Sequence, residues 1–121
     1  MPLRSSHRIL VVDDEPLIRL DVADTLREAG YQVLEACNAD QAMKLLPRET
    51  FALILTDIDM PGTCNGLDLA RAAHQHDPAL PVVLLSGRVL PRVAEMPRRL
   101  AFLAKPYQVE TLLHIVDEAL T

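Results

Sequence analysis

Tryptophan is absent from the 121 residues, and aromatic residues make up only 3% of them. Tyr31, Phe51, Phe102 and Tyr107 are scattered along the chain, so they build no stacking platform for single-stranded nucleic acid. Basic charge is scarce as well: 12 Lys and Arg stand against 17 Asp and Glu, for a net charge of -5. Such a surface repels a phosphate backbone, which argues against direct nucleic-acid binding. The two cysteines, Cys37 and Cys64, form no close metal-type pair and suit a reducing, cytoplasmic setting. No apolar stretch approaches the length of a membrane-spanning helix. The run from Ile9 to Val12 is too short for the core of a signal peptide. The expectation is a soluble cytoplasmic protein with no membrane partner.

What is present is a hydrophobic fraction of 50%, enough for a packed core and too high for a disordered chain. The length fits one domain over residues 1–121, which buries roughly two-thirds of the surface exposed by its unfolded chain. Short apolar runs alternate with segments of helical period. Ile9 to Val12 reads as a strand buried on both faces. Pro16 suits a helix start, Ile18, Val22, Leu26 and Ala29 share one helical face, and Gly30 serves as its C-cap. Tyr31 to Ala36 gives a second strand, and Asn38 caps a helix that carries Ala42, Met43, Leu45 and Leu46. Phe51 to Leu55 forms a third strand running into Asp57. A helix with Leu67, Ala70 and Ala73 on one face follows and stops before Pro78. Pro81 to Leu85 and Leu100 to Ala104 are the last strands, and a helix from about Gln108 to Leu120 aligns Val109, Leu112, Val116 and Leu120. Five β-α repeats predict a parallel sheet with helices on both faces. Pro91 and Pro97 fall where a fourth helix belongs, so that helix is expected to be shortened or irregular over 87–99.

In open parallel sheets, ligands bind beyond the carboxyl ends of the strands. The first strand ends there in Asp13 and Asp14, the third in Asp57, the fourth in Ser86 and the fifth in Lys105. Three carboxylates in one place repel each other and call for a cation. A site of oxygen donors without sulfur suits Mg²⁺, with Mn²⁺ as an alternative occupant. A carboxylate can act as the nucleophile in phosphoryl transfer, with metal and Lys⁺ neutralising charge on the group that moves. A hydroxyl at the fourth strand end can donate a hydrogen bond to that group.

Val11-Val12-Asp13-Asp14-Glu15-Pro16, Asp57 with Met60-Pro61-Gly62, Ser86-Gly87 and Lys105-Pro106-Tyr107 together resemble the receiver domain of two-component response regulators. The resemblance covers nearly the whole chain. It implies a flavodoxin-like three-layer (βα)5 sandwich with strand order 2-1-3-4-5. It implies that Asp57 is the phosphoacceptor, and that Asp13 and Asp14 hold Mg²⁺, one directly and one through water. Asp57 joins them as a ligand, and Asp59 offers its backbone carbonyl. Ser86 reads the phosphate and moves toward it. Lys105 contacts the phosphate and the acceptor, Pro106 follows a cis bond, and Phe102 is the aromatic whose rotamer follows phosphorylation. The implied donor is a phosphohistidine on a histidine kinase or phosphotransfer protein, and the output goes to a downstream protein. The domain assists its own phosphorylation and dephosphorylation without being a turnover enzyme on a small substrate.

The sequence departs from the family pattern in three places. The Pro61 to Gly66 loop is about one residue longer than the commonest spacing. The proline-broken stretch before Lys105 is short, which affects the surface used for output and dimerisation. Asp59 and Arg88 flank the site and are expected to pair across its mouth and restrict water. The cluster Arg88, Arg92, Arg98 and Arg99 reads either as a solvated segment or as a docking patch for an acidic partner. His74, His76 and His114 read as surface residues. The chain stops just after its last helix, so the expectation is a free-standing regulator or a module of a hybrid kinase. Two other classes compete with this reading. A nucleotide- or flavin-binding domain needs a glycine-rich loop where Asp13 to Pro16 stand. A scaffold that works without phosphorylation would have lost site residues that are all present.

Overall fold

The computed structural model describes residues 7–60, 62, 64–87 and 100–121. The chain runs β1 (Arg8–Val12), α1 (Pro16–Glu28), β2 (Gln32–Ala36), α2 (Ala39–Leu45), β3 (Leu53–Asp57), α3 (Gly66–His76), β4 (Val82–Ser86), β5 (Leu100–Ala104) and α4 (Val109–Ala119). The five strands are all parallel, in the order β2-β1-β3-β4-β5. This is the expected doubly wound α/β topology. The expected irregular helix over 87–99 lies, from residue 88 on, outside the described residues.

Strand side chains alternate between two cores, as the period of two requires. Leu10, Val12, Ile54, Val82 and Leu84 face α2 and α3, where Ala42, Leu69, Ala70 and Ala73 meet them. Ile9, Val11, Leu53, Leu55, Val83, Leu85 and Leu103 face α1 and α4, where Val22, Leu26, Leu112 and Val116 meet them. Covering on both faces explains why the strands are continuously apolar rather than alternating.

The helix ends follow local chemistry. Helix α1 stops in a Schellman turn: the Tyr31 N–H donates to the Leu26 carbonyl (3.1 Å) and the Gly30 N–H to that of Arg27 (3.0 Å). Gly30 therefore stands one residue beyond the C-cap Ala29, at φ 103°, where glycine carries no steric cost. Asn38 caps α2 by accepting from the Gln41 N–H (2.7 Å). Asn65 caps α3 in a reciprocal box with Asp68.

Some boundaries differ from the sequence reading. Strand β3 begins at Leu53, not Phe51, although Phe51 is buried in the α2/α3 core. Strand β2 begins at Gln32 and β4 at Val82. Helix α3 buries Gly66, Leu69, Ala70 and Ala73, leaving Leu67 only half-buried. Val109, expected on the buried stripe of α4, is 50% exposed at the first position of that helix.

Candidate functional site

The site forms at the carboxyl edge of β1, β3 and β5, and strand alternation explains its membership. Asp13 continues the row of Ile9 and Val11, Asp57 the row of Leu53 and Leu55, and Lys105 follows Leu103. All three thus emerge on the α1/α4 side. One carboxylate oxygen from each of Asp13, Asp14 and Asp57 lies within 4.8 Å of the other two. Asp13 and Asp57 are buried and Asp14 is half-buried.

Asp57 is approached from two sides. The Asp59 N–H donates to its Oδ1 (3.3 Å), and Lys105 Nζ stands 3.2 Å from its Oδ2. Lys105 is placed by its own backbone, whose N–H donates to the Ser86 carbonyl (2.9 Å), and by the cis Lys105–Pro106 bond expected from the sequence. At Asp13, Oδ1 accepts from the Glu15 N–H (2.9 Å), while the buried Oδ2 has no hydrogen-bond partner among the described residues. Burial pushes the Asp13 carboxyl above its ordinary range, and Asp57 and Asp14 push it further, against the Glu15 N–H and Lys105. A buried oxygen without a partner among the described residues, on a carboxylate grouped with two more, fits a hard divalent cation such as Mg²⁺. Tyr107 borders the site, its hydroxyl held above the usual phenol range by burial and then by Asp21, Asp13 and Asp57.

Ser86 is buried as the last residue of β4. It belongs to the other row, with Val82 and Leu84, and Leu84 pairs with Phe102 across the β4/β5 ladder. Phe102 is half-buried against the α2/α3 core. The side chain of Asp59 is exposed, while Arg88 lies outside the described residues, as do Arg92, Arg98 and Arg99. His114 is exposed and pairs with Glu118 (3.1 Å). His74, read as a surface residue, is half-buried, and its Nδ1 has no partner among the described residues.

The sequence reading passed over two features. The first is Gly66. A Cβ there would lie 2.2 Å from the Asp57 carbonyl oxygen and 2.8 Å from the Ile58 Cα, so α3 closes directly onto the backbone beneath Asp57. A glycine opening a helix behind the Asp57 loop was the available signal. The second is Arg19, whose Nη1 donates to the Asp13 carbonyl (2.8 Å). Nothing in the sequence marks that contact. A groove of about 550 Å³ runs beside the site, lined by Leu17, Ile18, Asp21, Lys105, Pro106 and Tyr107. Leu17 is 82% exposed at its rim.

Residues 9–117 match the family model of the response regulator receiver domain. The response regulator receiver protein CpdR of Brucella abortus is 33% identical over 116 residues, covering 93% of this chain and 96% of that one. The receiver domain of the hybrid histidine kinase CckA superposes with a TM-score of 0.81 at 34% identity, covering 94% of this chain and 99% of that one. The response regulator TrrA of Thermotoga maritima, in complex with Mg²⁺-BeF, superposes with a TM-score of 0.84 at 30% identity, covering 93% of this chain and 98% of that one. Against two further curated relatives, each 32% identical, the chain spans 24% and 57% of their length. An acidic edge on a CheY-like parallel sheet, together with these matches, defines a signalling module. The chain belongs to the response regulator receiver domain family of two-component systems. No helix among the described residues is long and apolar enough to cross a membrane.

Proposed function

We propose that this receiver, as one domain over residues 1–121, accepts a phosphoryl group on Asp57 from a phosphohistidine and relays the change to a protein partner. The observation that carries the reading is the convergence of the Asp13, Asp14 and Asp57 oxygens within 4.8 Å, with Lys105 Nζ 3.2 Å from the acceptor. Asp13, Asp14, Asp57 and the Asp59 carbonyl would hold Mg²⁺. When bound, the ion neutralises charge on the transferring group and gives Asp13 Oδ2 its missing partner.

An Asp57 carboxylate oxygen attacks phosphorus, and the phosphorus–nitrogen bond to the donor imidazole breaks. The electron pair stays on the imidazole nitrogen, which takes up a proton. Lys105 screens charge on the acceptor and then on the attached phosphoryl oxygens. Ser86 turns its hydroxyl toward the new group. Phe102, on the same side of the sheet as Ser86, changes rotamer as space opens, and this shifts a pre-existing equilibrium between two forms. Asp59 and Arg88, each two residues past a site residue in the sequence, govern how fast water removes the group. The exposed apolar groove at Leu17 gives a histidine kinase or phosphotransfer protein a landing surface beside Asp57. The setting is cytoplasmic, and the output is a protein contact rather than turnover of a small substrate.

Intact mass after incubation with acetyl phosphate and Mg²⁺ tests this. Wild type is expected to gain one phosphoryl group and Asp57→Ala none. If wild type gains none from acetyl phosphate or from phosphoramidate, which presents a phosphorus–nitrogen bond, the acceptor reading fails.

A further inference from the structure

We infer that Arg19 is a positioning residue for the cation site, aimed by Glu35 and acting through the backbone of Asp13. The inference rests on the cation reading above and concerns how this chain holds one of the ligands.

Asp13 has four polar groups, and three are fixed by different parts of the fold. Its N–H donates to the Ala36 carbonyl at the end of β2 (3.2 Å). Its Oδ1 accepts from the Glu15 N–H in the turn (2.9 Å). Its carbonyl accepts from Arg19 Nη1 in α1 (2.8 Å). Among the described residues, only the buried Oδ2 is left without a partner. A residue anchored three ways presents its fourth group at a defined place, which Mg²⁺ demands because it tolerates little departure from octahedral geometry.

The Arg19 anchor is itself held. Its Nε stands 3.3 Å from Glu35 Oε1. The other oxygen of Glu35 is 3.1 Å from Arg27 Nη2, and that same nitrogen donates to the Val33 carbonyl (3.3 Å). The Arg19 side chain is only 18% exposed, so its rotamer is confined. Glu35 thus orients Arg19 from β2, and Arg19 fixes the β1–α1 turn from α1. The planar guanidinium serves a carbonyl and a carboxylate at once, which the single ammonium of lysine cannot do in the same plane. Partners that orient metal ligands in this way commonly set affinity as strongly as a ligand's own surroundings.

Electrostatics alone gives the opposite expectation. Removing a cation near three carboxylates should tighten Mg²⁺ binding, whereas removing a positioning group should weaken it. Calorimetric titration of the full chain with Mg²⁺, after EDTA treatment and dialysis, separates the two, with thermal unfolding measured in parallel. Arg19→Ala is expected to raise the Mg²⁺ dissociation constant roughly tenfold. Arg19→Lys should behave like Arg19→Ala rather than like wild type. Glu35→Gln should shift affinity the same way by less, and the Arg19→Ala/Glu35→Gln double variant should add nothing to Arg19→Ala. Arg27→Ala, which touches Glu35 but not Asp13, should stay close to wild type. A folded Arg19→Ala with unchanged or tighter Mg²⁺ binding overturns the inference, whatever its melting temperature. If Arg19→Ala does not fold, an unchanged constant in Glu35→Gln overturns it. A wild type that binds no Mg²⁺ overturns the cation reading and this inference with it.

Discussion

The two ends of the sheet carry charge in opposite ways. At the amino end, Arg8 Nη1 meets Glu49 (2.5 Å) and Nη2 approaches Gln32 (3.5 Å). The adjoining backbone is also paired, with the Ala52 N–H donating to the Arg8 carbonyl (2.8 Å) and the Gln32 N–H to that of His7 (3.1 Å). At the carboxyl end, three acids crowd together with Lys105 beside one of them, Asp57, and a buried oxygen goes without a partner among the described residues. The same five strands supply both ends, so the difference is not one of scaffold. Among the described residues, charge at one end is paired within the chain, while the other end holds a carboxylate oxygen that a bound cation would complete. Unfavourable charge tolerated at one edge of a stable sheet is what a binding site costs the fold.

Three substitutions sharpen or break that comparison. The largest effect is expected at Gly66, where the carboxyl edge meets α3. The clash of an added Cβ is with backbone at Asp57 and Ile58, which cannot swing aside as a side chain would. Gly66→Ala should cost about 2–3 kcal/mol by overpacking. Urea unfolding should show a lower midpoint with an unchanged slope. The displaced backbone carries Asp57, so phosphoryl uptake should fall as well. An unchanged midpoint would mean that α3 can slide away freely, and that this edge is looser than its close approach implies.

The strands and the contacts around the site differ in how far the sequence could reveal them. The strands were legible because burial on both faces leaves unbroken runs such as Ile9 to Val12. Asp13, Asp14, Asp57, Ser86 and Lys105 were legible as strand-end residues because polar side chains there break the run abruptly. Phe51 misled because burial is not pairing: it packs in the α2/α3 core two residues before the β3 ladder begins. The closeness of Gly66 to Asp57 is tertiary, so a glycine opening a helix hints at a close approach without showing which backbone lies behind it. Arg19 was invisible because its acceptor is a backbone carbonyl, which every residue has. Glu35 of β2, whose Oε1 stands 3.3 Å from the Arg19 Nε, was unmarked for the same reason: the contact joins two elements.

Asp13→Asn tests whether the carboxyl edge is destabilised by its own charge. Burial, Asp57 and Asp14 raise the Asp13 carboxyl from its ordinary 3.8. The native state therefore binds this proton more tightly than the unfolded chain does. Stability from the protonated form is complete below the unfolded value and is lost as pH rises through the native one. In EDTA at neutral pH the full penalty applies, and Asp13→Asn should be more stable than wild type by on the order of 1 kcal/mol. The gain should shrink as pH is lowered toward 3.8. Mg²⁺ should reverse the ranking, since a ligand at a hundred times its dissociation constant adds about 2.7 kcal/mol to wild type. Urea midpoints with EDTA and with Mg²⁺ at several pH values measure all three. A variant less stable than wild type in EDTA at neutral pH would mean that the acids at this edge are already satisfied.

The smallest effect is expected at the amino edge. The Arg8 and Glu49 side chains are 39% and 38% exposed, so water already screens the pair at its short separation. Glu49→Gln keeps the size and polarity of the side chain and removes only the charge. Its cost should stay below about 1 kcal/mol and fade as salt rises. It should leave the Mg²⁺-induced stabilisation untouched, because no described contact links this edge to Asp13. Urea midpoints at low and high salt, each with and without Mg²⁺, check both points. A cost well above that bound, or an altered response to Mg²⁺, would show that the two ends are coupled through β1, and that their opposite treatment of charge is a property of the whole sheet.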